Sequence, residues 1–240
     1  MIQKKFSILN SYEVEIQVLG KAETENLFGF EKEDINFTIQ KFVSDRFKIS
    51  LDNAFILNQT HGDIFWNSET LNSRVLSDGD ALYTTRTETV LIVKTADCMP
   101  IFFWSNQKPL IGVVHSGWKG THLGISEKIF LYLKNQGYDL DSIQALLGPC
   151  ARKKNYEVGE DLFGLFKNYF PECIEKNQNN KFDLGVDLVL KKRLLENSIP
   201  ISLIDSEICT IENESYYSHR RKEVGRNLNL IILRKQNSLA

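Results

Sequence analysis

The strongest constraint on this chain lies between residues 89 and 115, where three β-rich runs, TVLIVKT, PIFFW and PLIGVVH, follow one another with turn residues between them. Apolar runs this short, rich in β-branched and aromatic residues and bounded by turn formers, read as strands rather than helices. They predict the centre of a buried sheet. The third run ends on a histidine and passes into SGWKGTHLG, so one of only four histidines stands where a buried strand stops and a glycine-bracketed loop begins.

The rest of the chain builds around that centre. Residues 4 to 19 alternate like a strand pair turning at Asn10 and Ser11, and Ile35, Ile39, Phe42, Val43 and Phe47 recur near helical spacing. Short strands are expected at 53–58 and 62–66, on either side of QTHG. Beyond the glycines, ISEKIFLYLKNQGY reads as a helix, IQALLGPC as a strand halted by Gly-Pro, VGEDLFGLFKNYF and DLGVDLVLKKRLLENSI as helices, and ISLID and LNLIILR as strands. EKNQNNK, at 175–181, reads as a surface loop. No repeat or linker interrupts the pattern, and 240 residues suit one domain spanning 1–240. The expected class is α+β, a layered sheet structure with helices outside, which excludes a helical bundle.

Composition narrows the function. Apolar residues at 42% and charged residues at 25% are those of a globular protein, and 29 basic against 31 acidic side chains leave no global field to recruit nucleic acid or a membrane surface. Any anion site must be local. Neither a signal peptide nor a run of roughly 18 apolar residues is present, so the expected location is the cytoplasm. Cys98, Cys150, Cys173 and Cys209 form no CxxC pair, and the thiols are expected to be reduced.

Three segments place metal-capable side chains beside turns: NQTHG with His61, TADCMP with Cys98 and VVHSGWKG with His115. Two imidazoles and a thiolate can hold zinc tetrahedrally and leave a fourth position for water or substrate. They are far apart in sequence, and the alternative is three unrelated buried or surface residues. Asp97 reads either as a turn cap or as a group that orients a ligand or handles a proton. His122 and His219 read as surface or hydrogen-bonded core residues.

The ordered segments DALYTT, TADCMPIFFW, GVVHSGWKGT, LGPCARKKNYEVGEDL, FDLGVDL and CTIENESYYSHRRKEVGRNLNLI resemble the YfiH-like, laccase-domain family of purine nucleoside phosphorylases, over about residues 50 to 235. The resemblance implies a layered sandwich of two β-sheets flanked by helices, related to the catalytic fold of cytotoxic necrotizing factor. It implies a metal, usually zinc with copper as an alternative, held by His61, Cys98 and His115, which would also be the catalytic residues. Gly117 and Gly120 would let the backbone pass close to a ligand. Arg46, Gln59, Lys119 and Arg221 are the implied substrate-binding residues, with Arg220 and Arg226 in the same C-terminal signature. The chain departs from the family in VLGKAETENLFGF, where a threonine, arginine and paired-glycine segment is expected, in Lys119 for arginine, and in Asn155 for cysteine. A lysine holds phosphate as a point charge without the bidentate fork.

The implied activity is phosphorolysis of adenosine, inosine or methylthioadenosine, with adenosine deamination in the same pocket; the partners are a purine nucleoside and phosphate. Alternatives are copper-dependent phenol oxidation, editing of cytoplasmic cell-wall precursors with Cys98 as nucleophile, and a structural zinc domain closed by Cys150 or His122. Four histidines are few for the copper sites of a true laccase.

Overall fold

Why the central runs are apolar without alternation follows from what covers them. In the computed structural model, which describes residues 1–9, 11–28 and 34–236, each run is a strand buried on both faces. In chain order the strands are β1 (Ile2–Ile8), β2 (Tyr12–Leu19), β3 (Ala54–Ile56), β4 (Phe65–Asn67), β5 (Ala81–Thr84), β6 (Val90–Thr95), β7 (Met99–Ser105), β8 (Ile111–Ser116), β9 (Ile143–Leu147), β10 (Glu157–Val158), β11 (Ile174–Lys176), β12 (Phe182–Leu184), β13 (Ser202–Asp205) and β14 (Asn227–Lys235). The helices are α1 (Lys21–Thr24), α2 (Ile35–Phe47), α3 (Trp118–Leu123), α4 (Ile125–Asn135), α5 (Glu160–Lys167) and α6 (Val186–Glu196).

One sheet has the order β1-β2-β14-β6-β3 and a second β13-β9-β7-β8-β5-β4, with a small sheet β10-β12-β11 beside them. The two large sheets face each other across a core to which β6 gives Leu91 and Val93, β14 gives Ile231 and Leu233, and β7 gives Phe102 and Trp104. The alternate residues face outward and are covered as well. Val90, Ile92, Leu230 and Ile232 pack with Ile39, Val43 and Phe47 of α2, while Ile101 and Phe103 pack with Ile129 and Phe130 of α4 and Val189 and Leu190 of α6. The result is helix, sheet, sheet, helix, as the sequence implies for an α+β layered sandwich.

Packing between strands sets one glycine. Phe103 lies opposite Gly112 in the β7–β8 register, and a Cβ at 112 would stand 2.0 Å from the Phe103 ring. The small sheet is what the sequence pattern misses. EKNQNNK is not a plain surface loop but the second half of β11 and its hairpin connection to β12, with Ile174 opposite Leu184. Strands of two or three residues are too short to show a period. Asn10, expected in the first turn, and residues 29–33, just before α2, lie outside the described residues. Among the described residues no helix is long and apolar enough to cross a membrane.

Among the connections that cross from one large sheet to the other are β3 to β4 and β6 to β7. These two carry His61 and Cys98. Because β7 and β8 are antiparallel with Pro100 opposite His115, Cys98, two residues before Pro100, is delivered to the same end of the sandwich as His115.

Candidate metal centre and its two cavities

The metal-capable atoms of His61, Cys98 and His115 all lie within 4.8 Å of one another, and the two imidazole rings meet edge to face at 4.7 Å between centroids. Separations of this size allow one ion to be shared by all three. Among the described residues no other group of three such side chains is found.

Backbone shape aims these side chains. His61 has φ 57° and Asp97, next to Cys98, has φ 78°, both in the left-handed region that non-glycine residues seldom occupy. Asp80, fully buried ahead of β5, compensates the first of these turns. Its carboxylate accepts from the backbone N–H groups of His61 (3.0 Å) and Gly62 (2.7 Å) and from the Thr60 hydroxyl (3.1 Å). The same carboxylate meets His115 Nδ1 at 2.7 Å. An N–H at Nδ1 directs Nε2 toward the centre, the arrangement by which a carboxylate orients a metal-ligating histidine. Asp80 thus holds two of the three candidate ligands. It lies in DALYTT, whose role the sequence does not disclose.

The protonation states fit a thiolate centre. Burial would push the Cys98 thiol up, but the imidazoles of His115 and His61 outweigh burial and hold it at about 6. For His115, burial opposes the charge, while Cys98 and Asp80 outweigh it and raise the ring to about 9. The two form an ion pair in which Cys98 is deprotonated and ready to act as a ligand. Gly117 completes the packing, since a Cβ there would stand 2.9 Å from Cys98 Sγ and 3.4 Å from His61 Cδ2.

Two cavities meet at this trio. The larger, of about 570 Å³, is walled by Trp118, Tyr156, Met99 and Val186, with Arg220 and Lys222 also lining it. The smaller, of about 380 Å³, is polar and lined by Asn58, Gln59, Lys94 and Arg226. His61, Ala96, Cys98 and His219 border both. Asp97 brings in the C-terminal segment: its carboxylate accepts from Thr210 Oγ1 (2.7 Å), Ser218 Oγ (3.0 Å) and the Arg220 backbone N–H (2.8 Å). Of its two sequence-based readings, the structure favours the brace.

The substrate-binding residues expected from the sequence fare unevenly. Lys119 is exposed on α3 and lines neither cavity, because one residue along a helix turns a side chain by about 100°, and it is the preceding Trp118 that points in. Arg46 is also displaced, its guanidinium donating to Gln17 Oε1 at 2.5 Å, outside both cavities. Arg221 binds the carbonyls of Thr210, Ile211 and Tyr216 and pairs with Glu223 at 3.0 Å, so it fastens its own loop. Its neighbours Arg220 and Lys222 face the larger cavity instead. Gln59 does reach the smaller cavity, but its amide is engaged at both ends by the Lys94 backbone, at 2.8 Å each. His219 and Tyr156 are cavity residues for which the sequence offers no signal beyond membership of a longer motif.

Candidate fourth ligands for a closed zinc site do not join the trio. His122 packs edge-on against Phe166, and Cys150, buried at the cavity wall, is not part of the clustered group.

Comparison with known proteins identifies the family of the chain. A family model described as multi-copper polyphenol oxidoreductase laccase matches residues 28–234. A purine nucleoside phosphorylase of Clostridium acetobutylicum is 34% identical over 182 residues, covering 73% of this chain and 75% of that protein. One from Corynebacterium glutamicum is 30% identical over 202 residues, with 81% and 80% covered. A protein named adenosine deaminase RL5, from an unknown prokaryotic organism, is 30% identical over 148 residues, covering 59% of this chain and 56% of its own length. The solved structure of the YfiH protein of Bacillus licheniformis superposes with a TM-score of 0.77 at 23% identity over 92% of each chain, a likeness of fold.

Proposed function

Since the chain belongs to the multi-copper polyphenol oxidoreductase laccase family, several of whose relatives here are named purine nucleoside phosphorylases, we propose that it is a metal-dependent purine nucleoside phosphorylase that also deaminates adenosine. The observation that carries this reading is the convergence of His61, Cys98 and His115 beside a cavity with an aromatic lining, whose wall includes His61 and Cys98.

The donor set fits zinc, with copper as the alternative: two imidazole nitrogens and one thiolate, with no fourth protein ligand in the cluster among the described residues. Such an ion would act as a Lewis acid and lower the pKa of a water in its open position toward about 7. The donor set serves a single ion, so the reading is not a multi-copper oxidase, whose coupled sites need more imidazoles than four.

The chain's own residues supply the rest. Trp118, Tyr156 and Val186 offer flat and apolar walls suited to a purine and exclude water from the sugar. In phosphorolysis a phosphate oxygen bonds to the anomeric carbon as the bond from that carbon to the purine nitrogen breaks. The bonding pair leaves with the base, and the proton of hydrogen phosphate ends on the purine. Cations beside the trio oppose the charge brought in by phosphate.

The test is product analysis with adenosine, inosine and methylthioadenosine, with and without phosphate, on zinc-loaded wild type and on Cys98→Ala. Free purine that appears only with phosphate, and inosine formed from adenosine without it, are expected from the wild type. Cys98→Ala should lose most of its bound metal together with both products. Wild type that yields neither product, or a Cys98→Ala variant with full metal content, would overturn the reading.

A further inference from the structure

Lys94 and Arg226 are two cations that the fold brings together, and among the described residues neither has an ion-pair partner. Lys94 emerges from β6 and its ammonium donates to Asn36 Oδ1 at 2.5 Å. The carboxylate that reaches it electrostatically, Asp34, is committed as the N-cap of α2, accepting from the Phe37 N–H at 2.9 Å. Arg226 uses only Nη1, on the carbonyls of Val224 (2.7 Å) and Gly225 (2.8 Å), and among the described residues its Nε and Nη2 donate to nothing. Burial, and then the charge of Arg226, hold the Lys94 ammonium below the ordinary lysine range. Two like charges in a half-buried site are costly unless something negative joins them.

Both line the smaller cavity, whose other walls include the trio. Lys94 is well anchored for the purpose, because Gln59 clamps its backbone N–H and C=O. The other cations near the centre are less suited. Arg220 lies over the Tyr156 ring at 4.6 Å and donates to the Glu157 carbonyl at 2.6 Å, and Lys222 is exposed.

We infer that the smaller cavity is an oxyanion site in which Lys94 and Arg226 hold inorganic phosphate against the His61–Cys98–His115 edge. The choice of phosphate rests on the phosphorylase reading; the existence of an anion site rests on two cations that line one cavity and have no ion-pair partner among the described residues. With a nucleoside in the larger cavity and the anion in the smaller, the reactants meet at the residues the two cavities share. The smaller cavity becomes the port for the co-substrate.

The experiment is calorimetric titration of the zinc-loaded, full-length protein with inorganic phosphate, alongside initial rates with phosphate and adenosine varied in turn. The variants are Lys94→Gln, Arg226→Gln, Lys94→Arg and Lys222→Gln, each checked for native circular dichroism. Loss of one charge-assisted contact corresponds to about 10–100-fold in affinity. Lys94→Gln and Arg226→Gln should therefore weaken phosphate binding by about tenfold or more and raise the KM for phosphate in step, with little change in the KM for adenosine. Lys94→Arg, which keeps the charge, should recover most of the binding.

Phosphate binding that survives both neutral variants, or that is lost in Lys222→Gln instead, overturns the assignment. So does binding of adenosine 5′-monophosphate through Lys94 when inorganic phosphate does not bind, because the site would then serve a nucleotide. Wild type that binds phosphate through Lys94 and Arg226 but releases no purine keeps the site and sinks the phosphorylase reading. Phosphate-dependent purine release with a KM indifferent to both variants keeps the reading and sinks the site.

Discussion

Replacing Asp80 with asparagine tests whether one buried carboxylate organises the centre. The change is nearly isosteric, so no cavity forms. Burial pushes the Asp80 carboxyl up, but the His115 ring, the Gly62 N–H and the Thr60 hydroxyl outweigh it and hold it below the usual carboxylate range. Its oxygens accept from His61 N, Gly62 N, Thr60 Oγ1 and His115 Nδ1. An asparagine keeps one acceptor oxygen and turns an NH2 toward the other donors. Charge-assisted bonds contribute about 1.5–3 kcal/mol each, and two are lost, so the loss of stability should be about 3–6 kcal/mol. The NH2 also faces His115 Nδ1 and favours the tautomer with its proton on Nε2, the nitrogen needed for metal. Zinc affinity, measured by competition with a chromophoric chelator, should fall by about 10–100-fold. Urea denaturation of the metal-free protein gives the stability term separately. Stability lost with zinc affinity unchanged would refute the positioning role and leave Asp80 as a turn brace.

Gly117→Ala should reduce zinc affinity by about tenfold or more, because its methyl would stand 2.9 Å from Cys98 Sγ; its φ of −79° is open to alanine, so unchanged metal content would contradict the packing argument. Gly112→Ala should cost about 1–3 kcal/mol or more in denaturant melts through its clash with Phe103, and adding Phe103→Leu should recover part of that loss; strictly additive losses would count against it. Asp205, paired with Arg152 at 2.6 Å and Lys191 at 2.8 Å, is held at about 2 against burial that would raise it. A depressed carboxyl stabilises the fold fully above the unfolded value near 4 and loses that contribution as the pH falls through about 2. Asp205→Asn should thus be less stable than wild type by about 2 kcal/mol at neutral pH, with the gap closing between pH 4 and 2. A gap of equal size at both ends would refute the linkage.

What the sequence reveals of the fold follows how strands are covered. β6, β7, β8 and β14 are buried on both faces and stand out as dense apolar runs, and α4 and α6 show helical spacing where they pack on the second sheet. β10, β11 and β12 do not stand out, since two or three residues beside a polar hairpin carry no period. α3 is hidden for another reason. Its six residues, WKGTHL, hold a glycine and follow another, a composition that reads as loop, while the Gly117 carbonyl nonetheless accepts from the Thr121 N–H at 2.9 Å.

The candidate site shows the same divide, and the cause is geometric. His61, Cys98 and His115 could be singled out because their residue types suit a metal and each stands beside a turn, but nothing in their spacing makes them neighbours. Two crossings between sheets and one antiparallel register bring them together. The charged residues depend on finer detail, since in HRRK the side chains of Arg220 and Lys222 face the cavity while Arg221 turns into its own loop. Residue type alone ranks Arg221 with Arg220, although only one of them can meet a ligand. Lys94 is the reverse case. It sits in TVLIVKT as an ordinary strand-end lysine, and its significance comes from Arg226, distant in sequence but adjacent across the β6–β14 pairing, where Asn227 lies opposite Thr95. A cation pair made by strand register has no local signature, so the part of the site that handles an anion is the part that only the folded chain reveals.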